Sequence, residues 1–105
     1  MDPREQHATW VEVELAAIEN NVRQVRALTS AQVMAVVKAD GYGHGALPAA
    51  QAALRGGATW CGVARLEEAQ ELRRGGLQCP ILVLGPLPPG RLAEAVAASL
   101  SITVF

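Results

Sequence analysis

The fold of this chain is decided by one stretch, which reads Val33-Met34-Ala35-Val36-Val37-Lys38-Ala39-Asp40-Gly41-Tyr42-Gly43-His44-Gly45. Its first five residues are apolar and do not alternate with polar ones, a pattern typical of a strand covered on both faces of a parallel sheet. Lys38 follows at the carboxyl end of this strand, where parallel sheets carry their functional groups. The three glycines after it predict a turn with little side-chain bulk, whose backbone N–H groups could bind an anion.

The composition excludes several classes of protein. The chain has 105 residues, half of them hydrophobic, and a net charge of -1, which suits one small domain and gives no basic excess for nucleic acid or an anionic membrane. The first ten residues mix acid, base, proline and histidine, so no signal peptide is expected, and no apolar run approaches the length of a membrane span. These features predict a cytoplasmic protein.

The two cysteines, Cys61 and Cys79, follow no metal-ligand spacing, so no metal site is predicted. A reducing compartment argues against a disulfide between them. We therefore expect two free, packed thiols.

Hydrophobic periodicity predicts alternating strands and helices after an amino-terminal segment, residues 1–14. Within that segment, Trp10 to Glu14 alternates apolar and charged residues and predicts a short strand. From Leu15 the apolar residues recur at helical spacing, which predicts an amphipathic helix up to Leu28. Further helices are predicted over 46–55, 66–73 and 91–100, and strands near Val33, Trp60, Ile81 and Ile102, the last of them over 101–105. This succession predicts a parallel α/β sheet with right-handed crossovers.

Four parallel strands suit either an open doubly wound sheet or half of a (β/α)₈ barrel, and periodicity alone does not separate the two. A barrel usually needs about 250 residues. Because the chain stops inside a strand, we expect it to be truncated. We therefore favour the first half of a (β/α)₈ barrel over residues 15–105.

Lys38 is the residue whose side chain is best placed for covalent chemistry. An amine at the mouth of an apolar strand can condense with an aldehyde, although a lone lysine there more often extends its ammonium group into solvent. A Walker loop is excluded because its lysine follows the glycines, and the dinucleotide fingerprint fails because Ala46 stands where its third glycine belongs. A phosphate held by turn amides and the Tyr42 hydroxyl remains compatible with the sequence.

The segment from Met34 to Gly45 resembles the pyridoxal phosphate lysine motif of bacterial alanine racemase. The similarity continues upstream through Trp10-Val11-Glu12-Val13 and the helix with Asn21. Downstream it includes Val63-Ala64, Leu66-Glu67-Glu68-Ala69, Pro80 to Gly85 and Thr103-Val104-Phe105. It therefore covers nearly the whole chain, in order.

This resemblance implies an amino-terminal (β/α)₈ barrel in which Lys38 carries pyridoxal 5'-phosphate covalently and acts as a catalytic acid and base on the D-alanine side. It implies that the Tyr42 hydroxyl binds the cofactor phosphate and that Val36 and Leu84 line the cofactor pocket, while His44 is structural. The family often has Asn and Ala where Asp40 and Gly41 stand, and both residues suit a turn.

The activity implied is the interconversion of L-alanine and D-alanine, which supplies D-alanine for peptidoglycan synthesis. The resemblance also implies a homodimer whose second catalytic residue is a tyrosine from the carboxyl-terminal β domain of the partner subunit. That domain and the later barrel strands are absent from this sequence. The 105 residues alone are therefore expected to be inactive.

Three alternatives remain open. A decarboxylase of the same fold has a similar lysine motif but lacks the Tyr-Gly-His-Gly element at 42–45, whereas a serine racemase would share it. A non-catalytic pyridoxal phosphate carrier is the third, and its lysine motif ends differently. The nucleotide sequence beyond Phe105 is the observation that best separates them.

Overall fold

A computed structural model describes residues 2–105, in which four strands alternate with helices as predicted. The strands are β1 (Met34–Val36), β2 (Trp60–Val63), β3 (Ile81–Val83) and β4 (Ser101–Ile102). The helices are α1 (Pro3–Gln6), α2 (Leu15–Ala27), α3 (Lys38–Tyr42), α4 (Ala46–Gly56), α5 (Leu66–Arg74) and α6 (Leu92–Ala97), with a 3₁₀ turn at Pro89–Arg91.

The strands form one parallel sheet in the order β1-β2-β3-β4. Each strand lies beside the next one in the chain, without the reversal of order that characterises a doubly wound sheet. This sequential winding is that of a (β/α)₈ barrel. Within the described residues, β1 and β4 are the two edge strands.

Helices cover one face of the sheet and leave the other partly exposed. On one face the register aligns Ala35, Cys61 and Ile81, and beside them Val63 with Val83. The last four of these are fully buried and form the core with residues of the helices: Ala49 and Ala50 of α4, Ala69 and Leu72 of α5. The other face carries Met34, Val36, Trp60, Gly62 and Leu82, and its β1 residues are partly or largely exposed. The core therefore lies between the sheet and the helices.

Helix α2 packs on α4 through a glycine. A β-carbon at Gly56 would lie against the main-chain oxygen of Glu19 and 2.9 Å from Cβ of Val22, so only glycine permits this approach. The Glu19 carboxylate accepts a 2.8 Å hydrogen bond from Nε of Arg55 at the same interface. Helix α4 then ends in a left-handed cap at Gly57, as its Gly56-Gly57 pair predicts.

Arg73 of α5 connects the two loops that precede β3 and β4. Its guanidinium donates hydrogen bonds of 2.8–3.1 Å to four main-chain carbonyls, those of Leu77, Cys79, Ala98 and Ser99. The five donors of arginine suit such a cluster of acceptors. The loops before β3 and β4 are thereby fixed relative to each other.

Both cysteines are free thiols, as predicted; Cys61 is buried and Cys79 half-buried. Burial, together with the neighbouring Cys79, raises the pKa of the Cys61 thiol to about 12. Cys61 is therefore a core residue in its neutral form. Within residues 2–105, no helix is long and apolar enough to cross a membrane.

The prediction of a strand at Trp10 to Glu14 is wrong. Among the described residues this segment forms no strand, and Trp10 and Val11 are 46% and 82% exposed. Alternation favours a strand only where a neighbouring strand supplies hydrogen bonds, and the described sheet contains only β1 to β4. The regular element in this segment is the short α1 instead. The division of the chain at residue 14 stays a prediction.

The last predicted helix and strand are shorter than expected. The helix predicted over 91–100 begins after a 3₁₀ turn and ends at Ala97, and the strand predicted after it is limited to Ser101–Ile102. Proline and glycine at Pro88-Pro89-Gly90 favour the tight turn before α6.

Candidate active site at the carboxyl ends of the strands

The turn after β1 is left-handed. Following Lys38, the φ angles of Ala39, Asp40, Gly41 and Tyr42 are 52°, 55°, 65° and 56°. For residues other than glycine this conformation costs about 1–2 kcal/mol each, because Cβ approaches the following carbonyl oxygen. The chain keeps three such residues in α3, so the surrounding contacts must hold this conformation.

Hydrogen bonds from within the segment stabilise α3. The Gly41 amide donates to the Val37 carbonyl at 2.9 Å, and the Gly43 amide donates to the Ala39 carbonyl at 3.1 Å. The Asp40 carbonyl accepts from Gly45 at 2.8 Å, and the Asp40 side chain accepts from the amide of Ala46 at 2.9 Å. Asp40 therefore ties α3 to the start of α4.

Most amides of the turn are already engaged within the protein and are not free to bind an anion. The amides of Ala39, Gly41, Gly43, His44, Gly45 and Ala46 all donate to acceptors inside the protein. The glycines permit the turn, as the sequence indicated, because Gly41, Gly43 and Gly45 all have positive φ angles. The Tyr42 hydroxyl remains as the phosphate-binding group that the sequence suggested in this segment.

Lys38 lies at the carboxyl end of β1, as predicted. The amide of Val37 continues the sheet by donating to the Gly62 carbonyl at 2.8 Å, and α3 begins at Lys38. The lysine side chain is half-buried, and its Nζ lies 6.0 Å from the centroid of the Tyr42 ring. The Tyr42 residue is 60% exposed. The structure thus brings the amine and the phenol together at the rim of the sheet.

Val36 and Leu84 lie on the face of the sheet opposite the helix-covered core, which we call the open face. Val36 is aligned with Gly62 and Leu82, and Leu84 follows Leu82 by two residues, so the pleat places all four on this face. Val36 and Leu84 are 38% and 37% exposed. Cδ1 of Leu84 lies 3.5 Å from the position of a β-carbon on Gly62. The two side chains therefore offer apolar surface near the strand ends.

His44 has the structural contact expected of it. Its Nδ1 lies 2.9 Å from the carbonyl oxygen of Gly41. Because a carbonyl oxygen only accepts, Nδ1 carries the proton and donates. The ring thereby reinforces the end of α3.

Glu68 lies in a segment that carries the family resemblance, but its role in this region was not predicted from the sequence. One oxygen of its carboxylate accepts from the amides of Ala64 and Arg65, both at 2.9 Å, and the other accepts from the amide of Ala39 at 2.8 Å. A glutamate three residues after a helix N-cap is a known sign of capping, but the usual Ser or Thr is replaced here by Arg65. The bond to Ala39 spans 29 residues and has no local sequence sign.

A concavity of about 540 Å³ lies at the opposite ends of the strands. It is lined by Gln32, Val33, Met34, Trp60, Leu82 and Ser101. In (β/α)₈ barrels this amino-terminal end contributes to stability, while chemistry lies at the carboxyl ends. We therefore place the candidate site at Lys38.

Comparison with known protein families identifies this architecture. Residues 13–105 match the model of the family "Alanine racemase, N-terminal domain". The chain belongs to this family. The match includes β1 to β4 and α2 to α6, and with them every residue of the candidate site.

Curated relatives with the name alanine racemase agree with this assignment. The protein from Desulforamulus reducens is 50% identical over 98 residues, which cover 91% of this chain and 26% of the relative. That from Symbiobacterium thermophilum is 46% identical over 106 residues, covering 100% of this chain and 28% of the relative. The chain thus spans about a quarter of the length of the curated relatives it matches.

A solved structure extends the likeness to three dimensions. The alanine racemase from Bacillus anthracis, crystallised with bound L-Ala-P, superposes with a TM-score of 0.90 at 47% identity, covering 92% of this chain and 26% of that one. The four strands and their helices therefore match the amino-terminal part of the racemase barrel. This confirms the barrel prediction over the open doubly wound sheet.

Proposed function

We propose that this chain forms the lysine-bearing part of an alanine racemase that interconverts L-alanine and D-alanine with pyridoxal 5'-phosphate. The observation that carries the proposal is the placement of Lys38, the single lysine of the chain, at the carboxyl end of β1 beside Tyr42. Family membership supports the same reaction, because the relatives that match bear the name alanine racemase.

The residues at this rim fit pyridoxal phosphate. The cofactor needs an amine for covalent attachment, apolar surface beside its ring and donors for its phosphate. Lys38 would supply the amine, and Val36 and Leu84 the apolar surface. The exposed hydroxyl of Tyr42 would donate to the phosphate. Since the turn amides are engaged within the protein, Tyr42 is the phosphate ligand that we assign to α3.

When bound, pyridoxal phosphate withdraws electrons from the substrate and so stabilises the negative charge left by departure of the Cα proton. Lys38, once its amine is free, would take or return that proton on one face of the substrate. The opposite face needs a second acid. We propose that this acid is the tyrosine of the partner subunit's carboxyl-terminal domain that the family resemblance implies, since the single tyrosine of this chain, Tyr42, is assigned to the phosphate. The homodimer, the cytoplasmic location and a role in peptidoglycan synthesis stay predictions.

A chimera tests the proposal. Residues 13–105 replace the corresponding segment of the Bacillus anthracis racemase, and the purified protein is titrated with pyridoxal phosphate and assayed for D-alanine formed from L-alanine. Borohydride reduction followed by peptide mapping locates the attached cofactor. We expect racemisation and a label on Lys38, and neither in the Lys38→Arg variant.

Arg74→Lys is the matched control, because it adds an exposed lysine in α5, away from the site. The label should stay on Lys38 in this variant. Labelling of another lysine would contradict the site assignment. Cofactor binding without racemisation would favour the carrier protein, and turnover of serine in preference to alanine would favour a serine racemase.

A further inference from the structure

The carboxylate of Glu68 connects the second β/α unit to the backbone next to Lys38. Its Oε2 accepts the amide of Ala39 at 2.8 Å, and Ala39 is the residue directly after the lysine. We infer that Glu68 is a positioning residue for Lys38, holding the lysine backbone so that its amine faces the reacting groups. This inference rests on the proposed function of Lys38.

The carboxylate is itself held in place. Its Oε1 accepts from the amides of Ala64 and Arg65, both at 2.9 Å, at the start of α5. Glu68 is half-buried, and Ala64 directly follows β2, so this oxygen is anchored to the sheet. With Oε1 engaged, rotation about the last bond of the side chain is restricted. Oε2 is thereby aimed at Ala39.

The backbone amides on both sides of Lys38 donate hydrogen bonds to the second β/α unit, which consists of β2 and α5. On its amino side the amide of Val37 donates to the Gly62 carbonyl of β2 at 2.8 Å, and on its carboxyl side the amide of Ala39 donates to Glu68. The first bond is part of the sheet and does not depend on any side chain. The second depends on one carboxylate alone.

The left-handed conformation explains why this second bond matters. Ala39 is the first residue of α3 with a positive φ, 52°, and it has no side-chain polar atom to stabilise that conformation. Without an acceptor for its amide, the peptide after Lys38 can relax toward the ordinary right-handed region. The lysine would then start from a different backbone direction, and its amine would be displaced.

Three variants in the chimera separate positioning from helix capping. Glu68→Asp keeps the charge and can still accept from the start of α5, but it is one methylene shorter and should not reach Ala39 as well. Glu68→Gln keeps the shape but offers one acceptor oxygen instead of two. Glu67→Gln is the control, because it changes the same charge on the adjacent, exposed residue that pairs with Arg91.

Two readouts are measured on each variant. Hydrogen exchange by mass spectrometry reports on the peptide covering 37–43 without requiring cofactor, and steady-state kinetics give kcat and KM for alanine. For Glu68→Asp and Glu68→Gln we expect exchange in that peptide to rise about tenfold, with α2 and α4 unchanged. We expect kcat to fall by about ten- to a hundredfold with little change in KM. Glu67→Gln should match the parent chimera in both.

Two results would overturn the inference. One is unchanged exchange at 37–43 with unchanged kcat in both Glu68 variants. The other is exchange that rises equally in all helices, which would reduce Glu68 to a residue of general stability. If the parent chimera fails to bind cofactor or to racemise, the proposed function fails, and the exchange readout still decides whether Glu68 holds the backbone.

Discussion

The amine of Lys38 lies 6.0 Å from the centre of the Tyr42 ring, at the carboxyl end of β1. Three residues of the chain separate the amine of Lys38 from the phenol of Tyr42, and the left-handed α3 turns both toward the same rim of the sheet. A right-handed turn over the same residues would point the phenol elsewhere. The left-handed backbone therefore fits the proposed role of Tyr42 as a phosphate ligand beside Lys38.

Tyr42→Phe in the chimera should weaken pyridoxal phosphate binding while preserving racemisation at saturating cofactor. One hydrogen bond to a charged group contributes about 1.5–3 kcal/mol, which corresponds to about a 10- to 150-fold loss of affinity. The measurement is equilibrium titration of the cofactor into the apoprotein, followed by kcat at saturation. Unchanged affinity would mean that the hydroxyl does not reach the phosphate.

Local sequence patterns predicted the strands and most helices because burial leaves a periodic trace. The valine-rich run before Lys38 indicated a strand, the paired glycines at the end of α4 indicated a helix stop, and the structure confirms both. The strand at Trp10 to Glu14 failed for the converse reason. An alternating apolar and charged pattern is a property of one segment, whereas a strand also requires a neighbouring strand for its hydrogen bonds. The sequence of the segment contains no information about that neighbour.

The candidate site could also be predicted only where it depends on local sequence. The position of Lys38 could be predicted because it depends on the end of an apolar run. The left-handed conformation of Ala39 and Asp40 could not, since neither residue prefers a positive φ strongly enough to signal it. The contact of Glu68 with Ala39 joins residues 29 positions apart and depends on the register of β1 and β2.

Gly56→Ala should destabilise the packing of α2 on α4. The added methyl group would press on the Glu19 carbonyl and lie 2.9 Å from Cβ of Val22. Overpacking of this kind costs about 2 kcal/mol, more than the gain in helix propensity. Gly90→Ala is the control, because a β-carbon there meets nothing within 4 Å. Denaturant midpoints of the two chimeras, with hydrogen exchange in α2 and α4, give the comparison; equal midpoints would contradict the predicted clash.

Arg73→Lys should loosen the loops that precede β3 and β4. Lysine keeps the charge but cannot reach the carbonyls of Leu77, Cys79, Ala98 and Ser99 together, so we expect a loss of about 2–3 kcal/mol. Arg74→Lys, on the exposed side of α5, should change stability by less than about 0.5 kcal/mol. Chemical denaturation measures both, and hydrogen exchange around residues 77–80 and 98–101 should rise only in the first variant. Equal behaviour of the two variants would show that the four carbonyls do not depend on Arg73.

The 105-residue chain expressed by itself should self-associate and should not racemise alanine. Its sheet leaves β1 and β4 as edge strands within the described residues, and its open face presents Val36 and Leu84 at 38% and 37% exposure. Unpaired edges and exposed apolar surface both favour association. Sedimentation velocity over a range of concentrations, with dye binding, tests this expectation. A monomer that melts cooperatively and turns over alanine would contradict it.

Stability of the chimera should fall as the pH rises above about 9, and Cys61 should account for part of the fall. Burial raises the pKa of this thiol from an ordinary value near 9.0 to about 12 in the folded chain. Between these values the unfolded chain releases the proton and the folded chain keeps it, so ionisation favours unfolding by at most about 1.4 kcal/mol per pH unit. Below pH 9 both states hold the proton, and the contribution is constant.

Denaturant midpoints from pH 7 to pH 11 in the parent chimera and in Cys61→Ala measure this contribution. Cys61→Ala should lower stability at pH 7 by removing a buried side chain, yet flatten the decline above pH 9. Cys79→Ala is the control, since the pKa of Cys61 is raised first by burial and only then by its neighbour. The control should keep most of the decline. Parallel curves for the parent and Cys61→Ala would mean that the thiol at position 61 is accessible enough to ionise in the folded chain.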